Sequence, residues 1–325
     1  MINEKPIESI VKKGMKKGDF SKTLLFCSQG GKRCADGIGK LQAFCDYNII
    51  PEMFSGGIVG SSGGAWNCAY YIGGKDSTNR GAEIYTPHKE YFIDKKPYPK
   101  LDLDWLCHLS TQEKYFLDLD KINYFSRSFG VVVAKHDSPY DAINRIRILF
   151  PADMVTESNR KLEIIKDCIK ASSALQYAYN KTVRIGKNDY WDIRPYEIIP
   201  IKQVVSNPMF SCAENIVIIS SYKFPKTLNE VISKVLTLEQ VKQAEEIGIP
   251  LSMVDPSFSS QKLWETYQFM RDDNLRNYTI LEPCDIPMTN GETDHVKIRH
   301  VIDTSKQEML EKFKEIKNKI TNQAF

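Results

Sequence analysis

No stretch of this 325-residue chain approaches 18 consecutive apolar residues, the length a helix needs to cross a bilayer. Met1-Ile2-Asn3-Glu4-Lys5-Pro6 lacks the apolar centre of a secretory leader, so an intracellular, cytoplasmic protein is the expectation. None of the eight cysteines (27, 34, 45, 68, 107, 168, 212, 284) pairs as C-x-x-C. Their scatter matches neither a disulfide frame nor a zinc site, and they read as buried thiols of a reducing compartment. No block of basic residues interleaved with aromatics occurs, and a net charge of +3 is too small to point to nucleic acid. The Walker A spacing with its Lys-Ser/Thr is missing, and so is G-x-G-x-x-G. There is no internal repeat, no low-complexity segment and no calcium loop. No metal or other cofactor is expected.

What remains is the composition of an ordinary globular protein, 42% hydrophobic and 26% charged, which can bury a sizeable core. The length allows two domains or one large α/β domain with insertions.

The chain is organised around Ile58-Val59-Gly60-Ser61-Ser62-Gly63-Gly64-Ala65-Trp66. Two β-branched residues lead into a turn of small residues, and Ala65, Trp66, Cys68, Ala69 and Tyr70 can start a helix. Gly60-x-Ser62-x-Gly64 therefore reads as a nucleophile elbow, a strand-to-helix turn with serine at its tip. A side chain at Gly60 or Gly64 would strike the neighbouring strand and helix, and the serine sits in a strained backbone conformation. The helix N-terminus favours negative charge developing at the serine oxygen.

Upstream, Thr23-Leu24-Leu25-Phe26-Cys27 has the length and character of a buried parallel strand. It runs into Ser28-Gln29-Gly30-Gly31-Lys32-Arg33-Cys34, and Ile38, Leu41, Phe44 and Cys45 then recur at helical spacing. With phosphate signatures absent, the remaining use of such a turn is an oxyanion hole, the N–H groups of Gly30 and Gly31 aimed at a carbonyl oxygen. Residues 38–54 complete a crossover, which places the two strands side by side with both turns at their C-terminal edge.

Two such turns on adjacent strands resemble the patatin-like lipid acyl hydrolases. That family carries G-G-G-x-R/K-G, then G-x-S-x-G about 30 residues later, then a catalytic Asp in a D-G-G/A segment. Gln29-Gly30-Gly31-Lys32-Arg33-Cys34 matches the first segment at its two middle glycines and at Arg33, and departs from it at Gln29 and Cys34. Gly60-Ser61-Ser62-Gly63-Gly64 matches the second in full. Ala171-Ser172-Ser173-Ala174 is similar to a segment shortly before the family's Asp. A hairpin follows, Lys181–Ile185 and Tyr190-Trp191-Asp192 joined by a turn at Gly186-Lys187-Asn188-Asp189. Asp192 falls where the resemblance expects the catalytic Asp, with Ile193 and Arg194 in place of glycines; Asp189 competes with it.

The resemblance implies a three-layer α/β/α fold with a mainly parallel central sheet, in a single domain over 1–325. Its core would cover about 22–72 and 165–222, with a variable, partly helical insertion at about 75–160 and C-terminal helices at about 226–322. It implies a phospholipase A-type hydrolase of carboxylic esters of lipids, with Ser62 as nucleophile and Asp192 as base. Gly30 and Gly31 would form the oxyanion hole, Gly60 and Gly64 would support the elbow, and Arg33 would orient the loop by ion pairing. A weakly basic carboxylate needs a raised pKa for that task, which predicts apolar surroundings for Asp192. The expected partners are a phospholipid or other acyl-ester lipid and, transiently, a membrane surface. The departures at Gln29, Cys34 and Ile193 leave open a protein that keeps the fold, has lost catalysis and binds lipid or a partner. Acyl transfer would use the same residues.

Other stretches carry smaller expectations. Residues 1–20, with Lys12, Lys13, Lys16 and Lys17 and a short apolar face (Ile7, Ile10, Val11, Met15), read as a solvated arm or surface helix rather than a lipid-binding patch. Tyr91, Phe92, Tyr98, Trp105, Tyr115 and Phe116 belong to the core or line an acyl pocket. Asn215–Ser220 and Tyr278–Leu281 read as strands, and 227–247, 260–272 and 303–321 as helices. A Ser–His–Asp triad would draw on His295 or His300; His88, His108 and His136 have no motif around them either, and all five read as structural. The spacing of His295 and His300 fits no helical metal-ligand pair.

Overall fold

The apolar run Thr23–Cys27 forms β1, and Gly57–Ser61 forms β2 parallel to it, with Leu24 opposite Gly57 and Cys27 opposite Gly60. The computed structural model describes residues 1–15, 21–86, 92–93, 100–125, 128–136, 145–151, 153, 161–231, 236–246 and 251–322. Before β1 lies α1 (Lys5–Gly14). A 3₁₀ turn at Gly31–Cys34 and α2 (Ala35–Asp46) make the crossover from β1 to β2, and α3 (Gly63–Ile72) follows β2 directly. The 75–160 stretch contributes α4 (Lys75–Glu83), a two-stranded ribbon of β3 (Phe92–Ile93) and β4 (Lys100–Leu101), α5 (Leu103–Leu109) and α6 (Leu119–Phe125). It also supplies β5 (Phe129–Lys135) and β6 (Ile146–Leu149). The central sheet thus runs through the region read as an insertion, because Phe129–Ala134 is a continuous apolar run that suits a strand buried on both faces.

After α7 (Lys161–Ser173), β7 (Val183–Ile185) and β8 (Asn188–Trp191) form a hairpin around Gly186 and Lys187. Next come α8 (Ile201–Ser206), β9 (Asn215–Ile219), α9 (Leu238–Glu246), α10 (Leu251–Val254), α11 (Pro256–Asp272), β10 (Asn277–Leu281) and α12 (His295–Asn322). The sheet order is β10-β9-β1-β2-β5-β8-β7, with β6 also on β5. From β10 to β5 the strands are parallel; β6, β8 and β7 pair in antiparallel fashion.

Alternation along the strands sends side chains to two cores. Leu25, Ile58, Val131 and Val217 face one side, where they meet Ile10 of α1, Phe44 of α2, Ile165 of α7 and Phe313 of α12. Phe26, Val59, Val132 and Ile218 face the other, against Ile198, Val204 of α8 and Met270 of α11. Each such fully buried side chain contributes about 1.5–3 kcal/mol. Helices therefore cover both faces of a mostly parallel sheet, an arrangement compatible with a three-layer α/β/α fold.

Several element boundaries differ from expectation. The N-terminal residues are no solvated arm: Ile7, Ile10 and Val11 are fully buried, and Lys13 Nζ donates to the Ser21 carbonyl at 2.5 Å and Thr23 Oγ1 at 3.2 Å. Lys16 and Lys17 lie outside the described residues. In place of one helix over 227–247 there is a 3₁₀ turn at Leu228–Glu230 and α9, with 232–235 and 247–250 outside the described residues. The helix expected from 260 starts at Pro256, because Asp255 caps it by accepting the Ser257 N–H at 2.8 Å and proline fits the first helical turn. The last helix begins at His295, eight residues earlier than its amphipathic pattern suggested.

Candidate active site

β2 ends at Ser61, and Ser62 takes φ 52°, ψ −127° before α3 begins at Gly63. Such a conformation costs a non-glycine residue about 1–3 kcal/mol. Packing holds it there. A Cβ on Gly60 would sit 2.5 Å from Ala65 Cα, and one on Gly64 would overlap the carbonyls of Cys27 and Ser28 at the end of β1. The expected clashes are real at both glycines, and they force strand and helix into close approach. A tertiary contact adds to them: the Ser62 N–H donates to Ser172 Oγ at 2.7 Å, and that hydroxyl donates to the Val132 carbonyl of β5 at 2.5 Å.

The neighbours of Ser172 extend the same network. Ser173 Oγ accepts the indole N–H of Trp66 at 3.1 Å, and the Ala174 carbonyl accepts the Asp192 N–H at 3.1 Å. The Ala171-Ser172-Ser173-Ala174 segment thus ties the elbow to the segment that carries the carboxylate.

Asp192 reaches the elbow through strand geometry. Val131 and Val132 pair with β6 on one side and β2 on the other, and β2 ends at Ser61 opposite Val132. Beyond that point Ala134 still pairs with Ile146 of β6, and on the vacated side it takes Trp191. β8 therefore occupies the position beside β5 that β2 leaves at the elbow, and Asp192 follows immediately.

Its carboxyl is 1% exposed. Oδ1 accepts the Arg194 N–H at 2.8 Å, and among the described residues buried Oδ2 has no hydrogen-bond partner. Burial pushes the carboxyl up to about 6, opposed by the Ser62 hydroxyl, the Arg194 N–H and the Arg194 charge. The apolar surroundings expected of a carboxylate base are present, with Tyr190 and Ile193 buried beside it. Asp189 is elsewhere: its carboxylate faces Arg184 at 3.5 Å, and its carbonyl accepts the His136 N–H at 2.8 Å.

The glycine loop meets the elbow from β1. Gly31 has φ +55°, and a Cβ there would lie 2.6 Å from the Asn290 carbonyl oxygen, which accepts the Lys32 N–H at 2.8 Å. Glycine is required on both counts. The Gly31 carbonyl lies 3.0 Å from where a Cβ of Gly63 would stand, so loop and elbow touch. Among the described residues, the N–H groups of Gly30, Gly31 and Gly63 donate no hydrogen bond. Gly31 and Gly63 share a cavity with Ser62; Gly30 sits against Ser221 instead.

Gln29 is a working part of the loop, donating to the carbonyls of Glu197 at 2.7 Å and Ile198 at 3.0 Å. Cys34 packs against the elbow, and burial pushes its thiol up to about 12, too high for a thiolate. Among the described residues Arg33 makes no ion pair. Its Nε donates to the Met288 carbonyl at 2.9 Å and its guanidinium lies over the Tyr222 ring, 5.5 Å from the centroid.

Compared with protein-family models and with curated proteins, the chain matches none. The reading of the site therefore rests on its own residues and geometry.

Beside Ser62 lies a small cavity of about 50 Å³, lined by Trp66, Ile84, Tyr85, Leu101, Leu106 and Leu175, together with Lys32, which is 1% exposed and donates to the Tyr85 carbonyl at 3.2 Å. Of the aromatics read as core or pocket lining, the described ones do not line this cavity. Tyr115 is core, Trp105 packs partly buried against the core, and Phe116 is exposed. Phe92 lies in β3, whose side chains are not described, and Tyr91 and Tyr98 lie outside the described residues. None of His108, His136, His295 and His300 lines this cavity; His88 lies outside the described residues. No cluster of His, Cys, Asp and Glu among the described residues could hold a metal ion, and no helix among them is long and apolar enough to cross a membrane.

Sequence reasoning missed Ser172, the Gly63 N–H, Lys32 and Arg194. The first two had a signal. Ser172 lies in a segment already singled out, and the residue after the nucleophile supplies an oxyanion donor in elbow enzymes generally. The role of Lys32 had no signal, because a lysine in a glycine turn reads as solvated.

Proposed function

We propose that this chain is a serine hydrolase of the carboxylic esters of lipids, phospholipids foremost, built on a patatin-like α/β/α architecture. The observation that carries the reading is one juxtaposition. Ser62 stands at a strained strand-to-helix tip, and the adjacent Asp192 is buried, raised to about 6, with Oδ2 unpartnered. A purely structural aspartate in so apolar a place would be expected to have both oxygens satisfied.

The chemistry follows from these groups. At neutral pH the carboxylate is ionised, yet basic enough to take the Ser62 proton as Oγ attacks the ester carbonyl. Charge then moves to the carbonyl oxygen, where the N–H groups of Gly31 and Gly63 receive it, with the N-terminus of α3 adding a favourable field. Collapse expels the alcohol, which takes the proton back from Asp192. Water, deprotonated by the same carboxylate, then attacks the acyl-serine; the C–O bond to Ser62 breaks, the fatty acid leaves, and the proton passes from Asp192 back to Ser62 Oγ. The apolar cavity receives the start of the acyl chain. At about 50 Å³ it is far below the 300 Å³ of ordinary ligand sites, so a long chain must displace its walls or continue outward.

The test is labelling of the full chain with a fluorophosphonate, read by intact mass, followed by fatty-acid release from phospholipid vesicles. A single adduct that disappears in Ser62→Ala, together with release of fatty acid, is the expected result. A folded protein that neither labels nor releases fatty acid would overturn the assignment and leave a lipid- or partner-binding protein.

A further inference from the structure

On the far side of the glycine loop from the acyl cavity lies a cleft of about 640 Å³, within the usual range for a ligand site. The two sites are lined by neighbouring stretches of chain, with no residue common to both. Gly31 and Lys32 line the cavity, and Arg33 lines the cleft; Asp192 stands beside Ser62, and Arg194 lines the cleft. Arg33 and Arg194 of the cleft each stand two residues from a group of the site, Gly31 and Asp192, which brings the cleft within reach of the alcohol half of an ester held at Ser62.

The cleft holds a cation that is poorly satisfied. Arg194 Nη2 donates to Ser259 Oγ of α11 at 2.8 Å, but its buried Nε and Nη1 donate to nothing among the described residues. Buried guanidinium donors without an acceptor are costly, and a planar fork of this kind matches an oxyanion. The acids in the cleft are engaged elsewhere. Asp36 is bonded to Lys40 and Ser305, Asp285 is paired with Lys223, and Glu230 accepts from the Lys226 N–H and the Thr227 hydroxyl. Asp192 feels the charge of Arg194 and accepts its backbone N–H, and no acid among the described residues bonds the guanidinium.

We infer that Arg194 receives an anionic oxygen group, a phosphate foremost, carried on the alcohol half of the ester that Ser62 cleaves. This rests on the hydrolase reading and deepens it. What it adds is the residue that reads the phosphate of the leaving alcohol, at a position where the resemblance expects glycine.

Two measurements test it. In the first, acylglycerol phosphate and the neutral acylglycerol of the same chain length are compared by kcat/KM in wild type, Arg194→Gln and Arg194→Lys. Wild type should favour the phosphate ester. Arg194→Gln should lower that preference by about 10- to 100-fold, chiefly through KM, and Arg194→Lys should restore part of it. Loss of Arg194 also removes a charge that favours ionised Asp192, but the resulting shift of the pH profile is common to both esters and cancels in their ratio. An unchanged ratio in Arg194→Gln overturns the proposal.

In the second, sn-glycerol 3-phosphate is titrated into the full-length Ser62→Ala protein, with and without Arg194→Gln. Binding that weakens tenfold or more on losing Arg194 supports the site without any turnover. If it does so while wild type hydrolyses neither ester, the hydrolase reading fails and the anion site stands. Binding without ester selectivity means a free-anion site and overturns the substrate assignment. No binding and no selectivity overturns both.

Discussion

Around Ser62 the backbone is determined by contacts within a few residues and one neighbouring strand; around Asp192 it is determined by strands distant in the chain. Gly60 meets Ala65, and Gly64 meets the end of β1, so the elbow is built from steric exclusions over a short stretch. Asp192 has no such local device. It arrives because β5 overhangs the end of β2 and takes β8 on the vacated edge. One region is written into a motif. The other depends on which strand ends first. The bond from Ser62 N–H to Ser172 Oγ joins the two regions.

The largest expected effect separates the chemistry of the two regions from their architecture. Asp192→Asn should lower kcat/KM by about 10²–10⁴-fold while making the protein more stable at neutral pH. The sign follows from the carboxyl's rise from 3.8 to about 6 in the folded chain. A raised pKa means that the native state binds the extra proton, so its contribution to stability is complete below 3.8 and lost as pH rises through about 6. The shift corresponds to about 3 kcal/mol. Denaturant unfolding of wild type and variant should therefore diverge above pH 6 and converge near pH 4. In wild type the acid limb of kcat/KM should lie near pH 6, since only the ionised carboxyl can accept the serine proton. A limb near 4 would mean that Asp192 is not the base.

Gly64→Ala tests the local region. The added methyl meets two backbone carbonyls that cannot move without shifting β1, and a loss of about 3 kcal/mol is expected in urea unfolding. Ser172→Ala tests the joint. It leaves the Ser62 N–H unpaired and removes the Ser172 bond to the Val132 carbonyl, for about 1–3 kcal/mol, and relaxation of the strained turn should slow fluorophosphonate labelling about tenfold. Should Ser172→Ala cost more stability than Gly64→Ala, the elbow would depend on tertiary contacts as much as the carboxylate does. Asp189→Asn should do least, about 0.5 kcal/mol or less with labelling unchanged, because its partner Arg184 is solvent-exposed. A dead Asp189→Asn protein would invert the roles of the two acids.

Legibility in the sequence follows the same division. Strands β1, β2, β9 and β10, the elbow and the hairpin were readable because apolar runs bounded by turn residues report local burial directly. Arg33 was misread as an ion-pairing residue because its acceptor, the Met288 carbonyl, lies 255 positions away in sequence. The lining of the cavity beside Ser62 was not legible for a similar reason. Aromatics in 91–116 read as core or pocket, but the apolar wall comes from Trp66, Tyr85 and the aliphatic Ile84, Leu101, Leu103, Leu106 and Leu175, scattered over 66–175.

By itself the sequence determined that a serine stands on a glycine-flanked strand-to-helix turn beside a second glycine turn, since steric exclusion and strand length act over a few residues and leave a local signature. Only the tertiary structure decided which aspartate stands beside that serine, which glycine N–H groups share its cavity, and that Arg194 opens onto a cleft. Those outcomes depend on where β2 ends against β5 and on how α11 and the 283–290 loop pack over the sheet edge. Such relations lie between segments far apart in the chain, and no short run of residues encodes them.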